Sequence, residues 1–117
     1  MKTLAQMQDE VYENNVAHGW FDSERSVGDD IALLHTEVSE MFEAFRVTGT
    51  EDATRVLTQG ALDLDFQAKP EGFGSEAADV LIRLLDTCKR QGGDLAWEYE
   101  RKMAYNRTRP YKHGKNL

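Results

Sequence analysis

The chain is poor in cysteine, in proline, in long apolar runs and, outside its C-terminus, in positive charge. Cys88 is the single cysteine of 117 residues, so no internal disulfide is available, as suits a reducing cytosol. It sits in the apolar run VLIRLLDTC and reads as core filling. The two prolines, Pro70 and Pro110, fall where a loop and a helix end are expected. No apolar run approaches the ~20 residues needed to cross a bilayer. The opening MKTLAQMQDE turns acidic too early for a signal peptide. A cytoplasmic protein with no membrane partner is therefore expected. Residues 101–117 hold Arg101, Lys102, Arg107, Arg109, Lys112 and Lys115 and no acid, which leaves eight cations against 21 acids elsewhere, a charge of −13. An acidic body repels nucleic acid at long range and argues against a nucleic-acid partner. The basic tail can dock on the acidic body or clamp an anionic ligand held by metal, and charge alone does not separate the two.

What is present is helical periodicity. Leu4, Met7 and Val11 predict a first helix over about Thr3 to Val16. The segment AHGWFDSERS breaks it with glycine and turn formers. Ser26 with Asp29 resembles a capping box and opens a second helix to about Val47, ended by Gly49. Its Ile31, Leu34, Val38, Met41 and Phe45 recur at spacings of three and four, the pattern of a bundle seam. Residues 48–74 form a variable connecting segment. Thr50, Glu51 and Asp52 suit a short helix to Thr58, and ALDLDFQ suits a short strand or extended flap. Ser75 is expected to cap a third helix to about Arg90. Its Ala77, Val80, Leu81, Ile82, Leu84, Leu85 and Cys88 wrap much of the circumference and predict the most buried helix. Asp94 caps a fourth helix to about Arg107, and residues 108–117 are a basic tail. The expected fold is all-α, an antiparallel four-helix bundle in a single domain over residues 1–117.

Two acidic pairs stand out. Glu37 and Glu40 lie about 60° apart on the second helix, and Glu76 and Asp79 repeat that spacing on the third. Four carboxylates brought to one point repel unless a cation sits among them. Oxygen ligands with no histidine or cysteine nearby favour Mg²⁺ or Mn²⁺ over Zn²⁺. The alternative is a solvated stripe, because Glu76, Asp79, Arg83, Asp86 and Arg90 share one face, with Asp79–Arg83 and Asp86–Arg90 as i,i+4 pairs. Trp20 and Phe21 can stack on a nucleobase or anchor the loop on the core. His18 and His35 read as structural.

The runs GWFDSERSVGDDIALLHTEVSEMFEAFR, EGFGSEAADVLIRLLDTCKRQGG and KMAYNRTRPYKHGK together resemble the MazG-like nucleotide pyrophosphohydrolases. These are all-α NTP pyrophosphatases related to the dimeric dUTPases. The resemblance spans residues 14–47 and 71–117. It implies that Glu37, Glu40, Glu76 and Asp79 are the catalytic metal ligands for Mg²⁺, with Mn²⁺ as substitute. Lys102, Asn106, Arg109 and Lys115 become substrate-binding residues; Trp20 joins them on the chemistry of its flat ring alone, not through the resemblance. His113 is a surface residue or a weak phosphate contact. The implied reaction hydrolyses a nucleoside triphosphate to monophosphate and pyrophosphate, in a homodimer or homotetramer. Thr36 stands where many members carry a further glutamate, and residues 48–70 match nothing in the pattern. The competing readings are a non-catalytic nucleotide- or metal-binding bundle and an oligomeric scaffold.

Overall fold

The computed structural model describes residues 1–50 and 69–115. The expected short helix after Thr50 and the ALDLDFQ strand or flap lie outside the described residues. Four α-helices, and no strand among the described residues, make up the fold.

Helix α1 (Leu4–Ala17) starts at a reciprocal cap. The backbone N–H of Gln6 donates to the Thr3 hydroxyl at 3.1 Å, and the Thr3 N–H donates to Gln6 Oε1 at 2.8 Å. Two of the amides that every helix start leaves unpaired are thereby satisfied. Helix α2 (Val27–Thr48) opens with the Asp29 N–H donating to Ser26 Oγ at 3.0 Å. Asp29 and Asp30 lie in its first turn, where negative charge meets the positive end of the helix dipole. Gly49, at φ 64°, ends it in a conformation that side chains with a Cβ rarely adopt.

Helix α3 (Phe73–Arg90) starts two residues before the expected cap. Its N-cap is Gly72, with no side-chain cap hydrogen bond. Ser75 lies inside the first turn, and its hydroxyl donates to the Pro70 carbonyl at 3.1 Å. Helix α4 (Leu95–Thr108) begins where the Trp97 N–H donates to Asp94 Oδ1 at 3.0 Å. After Arg109 and Pro110, a short 3₁₀ turn (Tyr111–Gly114) closes the described chain.

Helix α3 is the hub. It packs along α2 and α1 and touches α4, while α4 also touches α1. No Cα of α2 comes within 8 Å of α1 or α4. Leu85, Asp86 and Thr87 on α3 are buried, and Leu85 is the fully buried apolar side chain of the described residues. Of the residues that predict the third helix as the most buried, Leu85 alone is buried, and Leu81 and Ile82 are exposed, because one side of α3 has no neighbour among the described residues. On the α2 seam, Leu34 and Met41 are half-buried, whereas Ile31, Val38 and Phe45 remain exposed. Phe45 meets Phe73 edge-on at 5.8 Å. Burial pushes the Cys88 thiol above its ordinary value, consistent with a packing role.

One polar residue ties α1 to α3 and to the turn that follows it. Gln8, 4% exposed, donates from Nε2 to the Leu85 carbonyl at 3.2 Å and to the Gly93 carbonyl at 3.3 Å. Two carbonyls near the α3–α4 turn thus gain a buried partner from α1.

Candidate metal centre

The packing of α2 along α3 brings the acidic pairs together. One carboxylate oxygen each from Glu37, Glu76 and Asp79 lies within 4.8 Å of the other two. Glu37 and Glu76 are half-buried. Glu40 is exposed, one turn along α2 from Glu37. Its carboxyl is raised above its ordinary value by a hydrogen bond to Glu37 and then by the Glu37 charge, with smaller contributions from burial and from the charges of Glu76 and Asp79. Like charges held close favour keeping a proton, so Glu40 belongs to the same electrostatic cluster. Glu43 pairs with Arg46 at 3.3 Å on the exposed side of α2.

The Asp79–Arg83 pair of the solvated-stripe alternative gives way to a contact across the helices. Arg83 Nε donates to Glu37 Oε1 at 2.7 Å. The sequence reading missed this arginine as part of the site. A signal was present, since Arg83 lies seven residues after Glu76 and four after Asp79, on the face that carries both acids.

A cavity of about 220 Å³ adjoins the carboxylates. Glu37 from α2, Asp79, Ile82, Arg83 and Asp86 from α3, Asn15 from α1, and Trp20 and Arg25 from the α1–α2 loop line it. The loop carrying Trp20 is fastened by Arg90. Its Nη2 donates to the Trp20 carbonyl at 3.0 Å, its Nε donates to Asp86 Oδ2 at 3.0 Å, and its guanidinium lies 3.7 Å from the Phe21 ring centroid. Phe21 also meets Tyr12 edge-on at 4.9 Å. The two aromatics of the loop therefore have different positions: Phe21 anchors it, and Trp20, 58% exposed, lines the cavity. Arg25 pairs with the buried Asp30. Asp30 Oδ2 and Asp86 Oδ1 are buried with no hydrogen-bond partner among the described residues.

The C-terminal residues are not brought to this cavity. Lys102, Asn106, Arg109 and Lys115 are absent from its lining. Lys102 and Lys115 are exposed, while Asn106 and Arg109 are half-buried. The Arg109 guanidinium lies 5.8 Å from the Tyr105 ring centroid.

No family model matches the chain, and no curated protein or solved structure matches it.

Proposed function

We propose that the chain is a divalent-cation-dependent nucleoside triphosphate pyrophosphohydrolase, releasing monophosphate and pyrophosphate. The observation that carries this reading is the convergence of Glu37, Glu76 and Asp79 from two helices. The donor set fits Mg²⁺ or Mn²⁺: all ligands are carboxylate oxygens, and Glu40 is driven toward its protonated form by its neighbours. Glu37, Glu76 and Asp79, with Glu40 beside them, would hold a divalent cation, which when bound would neutralise phosphate oxygens and make a bound water more acidic. One carboxylate of the cluster accepts the proton of the attacking water. Trp20 offers a flat ring at the cavity to a nucleobase. Choice of the α-phosphorus rests on the family resemblance, not on the geometry.

Lys102, Asn106, Arg109 and Lys115 are assigned to the triphosphate, and within one chain they do not line the cavity. A second copy is the source we favour for completing the site. Ile31, Val38, Phe42 and Phe45 on α2 and Leu81 and Ile82 on α3 are exposed apolar residues, a surface suited to a partner helix. A homodimer or homotetramer would close the bundle that α2 leaves open. No helix among the described residues is long and apolar enough to cross a membrane, and the lone Cys88 leads us to place the protein in the cytoplasm.

One observation favours the rival scaffold reading: Arg83 already neutralises part of the acidic cluster. The deciding experiment is a panel of NTPs and dNTPs with Mg²⁺, reading pyrophosphate and monophosphate separately. Equal amounts of both, lost on chelation, support the enzyme. Nucleoside diphosphate with orthophosphate overturns the α-phosphorus assignment, and no turnover on any substrate favours the scaffold.

A further inference from the structure

Arg83 is not a bystander of the acidic cluster. Its Nε holds Glu37 Oε1 at 2.7 Å, with the guanidinium side chain 35% and the glutamate side chain 13% exposed. Glu37 is one of the three carboxylates whose oxygens converge, so one lone-pair direction of the ligand set is already occupied by a donor from the same chain. A guanidinium cannot be deprotonated near neutral pH, so proton loss cannot release it. A cation that takes Glu37 through Oε1 must compete with it for that oxygen.

The surroundings give the displaced side chain a place to go. Arg83 lines the cavity beside Asp79 and Asp86. Asp86 is 5% exposed, and its Oδ1 has no partner among the described residues while Oδ2 is held by Arg90. A buried carboxylate oxygen without a donor is unfavourable, so a guanidinium leaving Glu37 finds an acceptor three residues along its own helix.

We propose that Arg83 is a built-in counter-cation that occupies Glu37 in the unloaded chain, is displaced by the divalent cation, and so sets the affinity of the centre for that cation. This rests on the metal-binding reading of the cluster. It assigns an affinity-setting function to a residue outside the ligand set, and it makes cation loading an exchange of one positive charge for another.

The test is calorimetric titration with Mg²⁺ and with Mn²⁺ alone, without nucleotide. The proteins are the full chain, Arg83→Gln, Glu37→Gln and the double variant. Arg83→Gln is expected to bind either ion roughly two- to fivefold more tightly, the upper part of the range for a partly exposed ion pair. In the Glu37→Gln background the same change should give little gain, because the competed carboxylate is gone. If Arg83→Gln binds no more tightly than the full chain, the exchange is wrong and the metal site stands. An equal gain in both backgrounds also overturns it, since a general field effect would then suffice. If none of the proteins binds either ion, both the exchange and the metal reading fall. The Arg83 Nε–H resonance of the unsubstituted chain provides an arm independent of variant folding. It should shift as Mg²⁺ saturates the centre, and a resonance that stays fixed at saturation overturns the exchange.

Discussion

Helix α3 carries the same spacing twice, Asp79 with Arg83 and Asp86 with Arg90, and the two repeats behave differently. Asp86 and Arg90 form their i,i+4 pair with side chains 8% and 10% exposed. Arg83 passes over Asp79 and reaches Glu37 on α2. The local geometry offers each arginine the same partner, and what lies opposite decides. Beside Arg90 are the Trp20 carbonyl and the Phe21 ring, so its guanidinium is committed on three sides and the pair serves as an anchor. Beside Arg83 is a glutamate from the neighbouring helix, and the pairing crosses between elements. An i,i+4 pair stabilises an isolated helix by only ~0.5 kcal/mol or less, which a better-placed acceptor readily outweighs.

Substitution at the anchored repeat should have the largest effect. Arg90→Ala removes one partner of a buried pair and leaves Asp86 uncompensated, at a cost of about 3–5 kcal/mol. Thermal unfolding should show a large drop, and Trp20 should lose its fixed environment in fluorescence. A melting temperature near that of the parent would mean that the two repeats do not differ as described. At the crossing repeat the effect should fall on chemistry. Glu37→Gln is expected to lower kcat/KM by more than about a hundredfold, the upper end seen for residues that merely support metal ligands. Its fold should be retained, as checked by circular dichroism.

The C-terminal cations sit outside both repeats and sharpen the contrast. Arg109→Ala should lower kcat/KM roughly tenfold to a hundredfold, as for one lost charge-assisted phosphate contact, with little change in melting temperature. Activity falling only in step with stability would remove Arg109 from the substrate. Arg83→Ala should cost folding no more than about 1 kcal/mol, because its pair is partly solvated. Denaturant unfolding beside Arg90→Ala gives the comparison directly.

The smallest effect concerns pH. Glu40 has its folded-state value raised, first by the hydrogen bond to Glu37. A raised carboxyl contributes stability that is full below its unfolded value and is lost as pH rises through its folded value. Metal-free Glu40→Gln should therefore gain melting temperature relative to the parent as pH rises through the region just above the ordinary carboxylate range. Parallel pH profiles that never converge or diverge there would refute the Glu37 contact as the cause.

The sequence carried the local features well because they are local. Thr3, Ser26, Asp94 and Gly49 mark helix ends through their own side chains or backbone freedom, and the acidic pairs follow from helical spacing. The start of α3 was misread because Ser75 looks like a cap, while the actual cap, Gly72, has no side-chain cap hydrogen bond. Periodicity identified the apolar face of α2 but cannot say what covers it, and Ile31, Val38 and Phe45 remain exposed. The destination of Arg83 depends on the register between α2 and α3, which no single helix encodes. Gln8 has the same limitation: a glutamine off the apolar positions of its helix gives no hint that its amide is buried.

That amide has a mechanical consequence. Gln8 joins α1 to the Leu85 carbonyl within α3 and to the Gly93 carbonyl in the turn from which α4 departs. A helix of 14 residues is a lever about 21 Å long. A tilt of roughly 10° at its base displaces its tip by about 4 Å, by the same geometry. The tip carries Asn106 and leads to Arg109. Gln8 therefore braces the base of the helix that carries the chain's positive end.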